Sequence, residues 1–132
     1  MKYMLDTNIC IYLIKKKPPQ VLARLTSHKI TEVCVSAITV GELEYGVAKS
    51  KYPERNKLAL LQFLAPLSIL PFDAKAALVF GDIRSRLELK GHPIGPYDTL
   101  IAAHARAENL ILVSNNISEF ARVLDLKVEN WV

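Results

Sequence analysis

The sequence predicts an α/β domain with a parallel central sheet, and three observations carry that expectation. Its 132 residues fit one compact domain. Short apolar runs alternate with longer stretches of helical periodicity, the pattern of βα units. Polar clusters follow directly on such runs at Asp6-Thr7-Asn8, Ser36 to Glu42 and Ser114-Asn115-Asn116. Open parallel sheets bind their ligands outside the carboxyl ends of the strands, so these clusters are the places to look for chemistry.

The elements follow in order. Tyr3-Met4-Leu5 reads as a buried first strand ending at Asp6, and a helix from Asn8 to about Lys16 is stopped by Pro18-Pro19. A short helix over Val21 to Ser27 precedes a second strand, Val33-Cys34-Val35, and a helix from Thr39 to Ser50. Pro53 opens the next helix, with Leu58, Leu61 and Leu64 expected on its buried face. Ile69-Leu70 is a weak third strand, and Asp73 is placed to N-cap a long helix reaching about Lys90. The stretch from Gly91 to Pro96, with two Gly and two Pro, is a loop. Pro96 suits the first turn of a helix running through Asp98 to Glu108. Leu110 to Val113 is the clearest strand; a polar turn from Ser114 to Ser118 and a last strand near Val128 complete four to five strands.

Composition narrows the class. With 51% apolar residues the chain can bury a sizeable core, which excludes disorder. No apolar run approaches the roughly 18 residues that cross a bilayer, and Asp6 interrupts any signal-like segment, so a soluble, cytoplasmic protein without membrane partners is expected. Cys10 and Cys34 stand alone in apolar surroundings and read as reduced core cysteines. His28, His92 and His104 lack metal-ligand spacing and read as surface or half-buried structural residues, and Trp131 as a packing plug. The net charge of +4 is uneven: residues 1–66 hold ten Lys/Arg against five Asp/Glu, residues 67–132 seven against eight. Lys15, Lys16 and Lys17 are candidate RNA-backbone contacts, as is the Lys49, Lys51, Arg55, Lys57 group. An ordinary solvated surface explains such clusters equally well.

Three acids stand at expected helix starts. Asp6 follows a strand and precedes a helix, where Asp is a favoured N-cap. Glu42 closes Thr39-Val40-Gly41-Glu42, which has the capping-box spacing. Asp98 lies two residues beyond Pro96, where the helix dipole favours a carboxylate. Each therefore has a purely structural explanation. Together they say more. Carboxylates gathered at one sheet edge repel one another unless a cation compensates them, and several hard oxygen ligands suit Mg²⁺ or Mn²⁺. Such a metal activates water for attack on a phosphodiester. Asn116 and Glu119, after the best strand, read either as turn chemistry or as a neutral ligand and an outer acid.

Four segments in order then resemble the PIN-domain family. They are Met4-Leu5-Asp6-Thr7-Asn8; Ser36-Ala37-Ile38-Thr39-Val40-Gly41-Glu42-Leu43; Ile94-Gly95-Pro96-Tyr97-Asp98 with Ile101-Ala102-Ala103; and Val113-Ser114-Asn115-Asn116 through Glu119-Phe120. The resemblance covers essentially the whole chain and is greatest to VapC toxins of bacterial toxin–antitoxin pairs, particularly the enteric type. It implies a three-layer α/β/α fold with a central parallel sheet of four to five strands, occupying residues 1–132 as a single domain. It also implies metal-binding catalytic acids at Asp6, Glu42 and Asp98, with Thr7, Asn8 and Ser114 in support. Where many members carry a fourth acid in the last motif this chain has Asn116, with Glu119 the nearest acid, which bears on whether a second metal is held. The activity implied is Mg²⁺-dependent endoribonuclease action, with Mn²⁺ as a substitute, on initiator tRNA in the anticodon stem-loop. A cognate VapB antitoxin and a homodimer are implied as partners.

Two other readings share some of these features. A phospho-acceptor domain also puts an aspartate after its first strand. A receiver wants adjacent acids before its acceptor strand, though, and a dehalogenase-type phosphatase wants Asp where this chain has Asn8. A non-catalytic RNA-binding module would use the basic clusters and leave the acids as caps.

Overall fold

A computed structural model describes residues 1–132. Five parallel strands, β1 (Tyr3–Leu5), β2 (Val33–Ser36), β3 (Ser68–Leu70), β4 (Ile111–Val113) and β5 (Val128–Glu129), lie in the order β3-β2-β1-β4-β5. The helices are α1 (Thr7–Lys15), α2 (Pro19–Thr26), α3 (Ala37–Ala48), α4 (Pro53–Leu64), α5 (Ala74–Leu89), α6 (Pro96–Ala107) and α7 (Ile117–Phe120). None is long and apolar enough to cross a membrane.

Side chains alternate across a strand, and that period divides the interior in two. Tyr3, Leu5, Val33, Val35 and Val113 face one core, shared with Ile9, Leu13, Leu43, Leu60 and Trp131. Met4, Cys34 and Leu112 face the other, with Ile83, Leu87, Ile101, Ala102, Ala105 and Phe120. The α1, α3 and α4 helices thus cover one face and α5, α6 and α7 the other, as a three-layer α/β/α fold requires. Cys10 and Cys34 are buried free thiols, and Trp131 is 1% exposed against Tyr3 and His28.

Local expectations fail in three places. On α4 the buried residue is Leu60, whereas Leu58 and Leu61 are 58% and 53% exposed and Leu64 is only partly covered. Leucines lie on both sides of this helix, so periodicity alone leaves its rotation open; packing against α1 and α3 selects the Leu60, Phe63, Leu64 side. Leu60→Ala is expected to cost about 2–4 kcal/mol in chemical denaturation, and Leu58→Ala or Leu61→Ala less than about 0.5 kcal/mol. Equal losses at the three sites would refute this rotation.

The second correction concerns α3, which begins at Ala37 because the Ser36 hydroxyl accepts from the Ile38 amide at 3.1 Å. Glu42 is thereby carried well inside the helix, out of reach of the N-cap amide, and the capping box at Thr39 does not form. The third is His104, which is fully buried rather than superficial, with Nδ1 2.8 Å from Ser36 Oγ. Smaller shifts are ordinary: α1 starts at Thr7, and the turn after β4 tightens into α7.

Candidate active site

The chain runs outward from β1 through β2 to β3, then crosses to β4 and β5 on the other side of β1. The strand order therefore reverses between β1 and β4, and a crevice opens at their carboxyl ends. Asp6 and Ser114 are the residues that leave those two strands. The Asp6 amide donates to Val113 O at 3.0 Å, which holds the two exits side by side.

Asp6 does what its position predicts. Its Oδ1 accepts from the Ile9 amide at 2.9 Å and caps α1, and the residue is 3% exposed. Burial pushes its carboxyl above the ordinary aspartate range and the charge of Glu42 adds to the rise, while the Ser114 hydroxyl and the Ile9 and Asn8 amides pull it back. Ser114 Oγ also accepts from the Asn116 amide at 2.9 Å, so one hydroxyl ties the β4 exit to Asp6.

Glu42 is turned towards α1, where the Thr7 hydroxyl donates to its Oε1 at 2.6 Å. Asp98, in the first turn of α6, is partly buried, and its carboxyl is pushed up to about 6, first by burial and then by the charges of Glu119, Asp6 and Glu42. Glu119 borders it: Oε1 accepts from the Gly95 amide at 3.1 Å, and Oε2 accepts from the Asn116 side-chain amide. Asn8 is exposed on the first turn of α1.

The crevice thus collects Asp6, Glu42, Asp98 and Glu119, with Thr7, Ser114 and Asn116 bonded among them. Every one of the six ion pairs in the molecule lies elsewhere, so these four acids have no Lys or Arg partner. As the side chains stand, no three of them are grouped closely enough to hold one metal ion. Asp6 and Glu42 accept from protein donors and Glu119 does so through both oxygens, and mutual repulsion favours that spread arrangement. An all-oxygen set of mutually repelling, partly buried carboxylates fits a hard divalent cation such as Mg²⁺.

Lys15, Lys16 and Lys17 form no ion pair with these acids, although Lys15 lines the groove that also reaches Glu42. They are exposed at the opposite end of α1, about 13 Å along the helix from Asp6 at 1.5 Å per residue. Ser36, His104 and Thr39, to which the sequence reading gave no shared role, are all buried, and the Thr39 hydroxyl has no hydrogen-bond partner. Burial lowers the His104 pKa, so the imidazole is neutral and serves as a polar strut between α6 and the start of α3. Ser36, the last residue of β2, was the available signal for it.

A parallel α/β domain with uncompensated carboxylates at its topological switch point has its polar groups where open α/β sheets bind their ligands. The match to known proteins is specific. The PIN domain family model covers residues 3–125, and the chain belongs to that family. It is 53% identical over 132 residues to Ribonuclease VapC2 of Haemophilus influenzae, covering 100% of this chain and 99% of the relative. To the tRNA(fMet)-specific endonuclease VapC of Shigella flexneri it is 46% identical over 131 residues, 99% and 98% of the two chains. Its fold superposes on the DNA-bound VapBC structure from Salmonella typhimurium with a TM-score of 0.95 at 43% identity, covering 100% and 99% of the chains. The VapC resemblance drawn from the four motifs is borne out.

Proposed function

We propose that this protein is the toxin of a type II toxin–antitoxin pair, a Mg²⁺-dependent endoribonuclease that stops translation by cutting initiator tRNA in the anticodon stem-loop. The observation that carries the reading is the group of four acids without a cationic partner at the β1/β4 crevice. Names of the similar proteins, ribonuclease and tRNA(fMet)-specific endonuclease, support the reaction and the substrate.

Asp6, Glu42 and Asp98 are the residues that would hold the metal. When bound, Mg²⁺ supplies a Lewis acid that makes water nucleophilic near neutral pH and stabilises a leaving oxygen. The protein's part is positional. Ser114 and the start of α1 hold Asp6, and Thr7 holds Glu42. Glu119, steadied by Gly95 and Asn116, keeps negative charge beside Asp98 and orients polar groups at the rim. No side chain need form a covalent bond to the RNA.

A VapB-type antitoxin is the proposed partner, supported by similar structures solved as VapBC complexes. Its docking place is the apolar groove between α1, α3 and α4, lined by Ile11, Ile14, Leu43, Val47 and Leu60 and reaching Glu42. A segment seated there would approach the acids directly. The toxin is proposed to act as a homodimer.

The test is to map RNA 5′ ends after brief induction of the wild type and of Asp98→Asn. A single new end in the anticodon stem-loop of initiator tRNA, absent with the variant, is expected. Ends spread over many RNAs would remove the proposed substrate, and identical maps from both proteins would remove the nuclease reading. Labelling of Asp6 by acetyl phosphate would instead favour a phospho-acceptor domain.

A further inference from the structure

A basic depression lies on the α5/α6 face, built from residues far apart in the chain. Arg86, Lys90, Arg106 and Arg122 line it together with the apolar Ile83, Leu87 and Val123. Two of the guanidiniums are held in place by one carboxylate: Arg86 Nε lies 2.9 Å from Asp82 Oδ1, and an Arg106 terminal nitrogen 2.8 Å from Oδ2. Arg106 also donates to Leu124 O at 3.1 Å. Asp82 thus fixes two guanidiniums, and the charge of Asp125 also acts on Arg86, so two acids stand against the four cations of the depression. Lys90 and Arg122 take part in no ion pair.

The position of the depression gives it a direction. Helices α5 and α6 run antiparallel, with Asp82 paired to Arg106 near the end of α6, so the path from Arg106 past Arg86 to Lys90 climbs towards the start of α6. Arg122 completes it by donating to Pro93 O at 3.2 Å. Pro93 is two residues, at most about 7 Å of chain, before Gly95. The Gly95 amide binds Glu119, and a methyl group on Gly95 would stand 3.9 Å from Asp98 Oδ2. Positive charge thus leads along the surface to the rim of the acidic crevice. Acids that repel a phosphate backbone need such a neighbour if a polyanion is to approach them. Guanidiniums held in fixed geometry suit phosphate oxygens better than mobile lysines do.

We propose that the Arg86, Lys90, Arg106 and Arg122 depression is a phosphate-backbone track that guides the RNA strand to the acids. This deepens the ribonuclease reading and rests on it. It also moves the RNA contact away from Lys15, Lys16 and Lys17, at the far end of α1.

The experiment measures binding of an anticodon stem-loop RNA to the cleavage-silent Asp98→Asn protein in Mg²⁺ across a salt series. Lys90→Gln with Arg122→Gln, added to that background, breaks no ion pair and loses only the exposed bond from Arg122 to Pro93 O, so the Tm should shift little. It is expected to weaken binding roughly tenfold at physiological salt and to flatten the log–log salt slope by about 1.4, two contacts at about 0.7 each for a single strand. Lys15→Gln, Lys16→Gln and Lys17→Gln together form the comparison arm. An unchanged slope in the Lys90/Arg122 variant, or a slope lost only in the lysine-cluster variant, overturns the track while leaving the nuclease intact. If the double variant loses antitoxin binding but keeps RNA binding, the face belongs to a protein partner and the proposal fails. Absence of RNA binding by Asp98→Asn, with no cleavage by the wild type, removes both readings.

Discussion

Asp6→Asn is expected to lower RNA cleavage by roughly a thousandfold or more while leaving the protein folded, the scale seen when a principal electrostatic group is removed from an active site. The substitution separates the two jobs of this residue. Asparagine is as good an N-cap as aspartate, so the bond from the Ile9 amide at 2.9 Å has an acceptor in either case. What disappears is the charge. Asp6→Ala loses cap and charge together, and should add about 1 kcal/mol of destabilisation to the same loss of activity. If Asp6→Asn cleaves normally and only Asp6→Ala fails, the residue is a helix cap and nothing more. Initial rates on a stem-loop substrate, paired with urea denaturation, distinguish the cases.

The second large effect is linkage between metal and stability. Without metal, Asp98 titrates near 6 because burial and the charges of Glu119, Asp6 and Glu42 oppose its ionised form. The unfolded chain holds that proton less tightly, near the ordinary pKa of about 3.9. Between those two values the native state binds the extra proton, so stability conferred by protonated Asp98 is full below the unfolded value and lost as pH rises through about 6. Asp6 shifts in the same direction and adds to the slope. Metal-free Asp98→Asn should therefore melt above the wild type at pH 8, by about 3–5 °C per kcal/mol relieved, with the gap closing towards pH 4. Mg²⁺ should reverse the order. A ligand at 100 times its Kd adds about 2.7 kcal/mol to the form that binds it, and the wild type keeps the full set of carboxylates. Calorimetric scans at two pH values, with EDTA and with Mg²⁺, would show the crossing. A wild type that melts identically in both, or a variant stabilised as much by Mg²⁺, would contradict shared ligation by Asp98.

Part of the site was legible because Asp6 sits where β1 hands over to α1 and Asp98 lies in the first turn of α6. Asp6 and Asp98 are marked by neighbours a few residues away, the apolar run before one and Pro96 before the other. Glu42 was marked by the resemblance of the Ser36 to Leu43 segment, while the capping role its spacing suggested was mistaken. Its spacing from Thr39 resembles a capping box, but Ser36 is nearer the strand end and caps the helix first. That start releases Glu42 to meet Thr7 across 35 residues of chain. The rotation of α4 was ambiguous for a related reason: leucines on both sides satisfy the same periodicity, and only contact with α1 and α3 chooses between them.

Residues alone determined the parallel α/β class and the positions of its main elements, since backbone preference and apolar period act over a few residues. The tertiary structure decided which groups share a space. Glu119 reached Asp98, His104 slid beneath Ser36, and four cations from the half of the chain with a net negative charge gathered on one face. Those meetings depend on how the crossover from β3 to β4 folds distant segments together. Charge acts through space with a range of several ångströms, and linear order does not encode that distance.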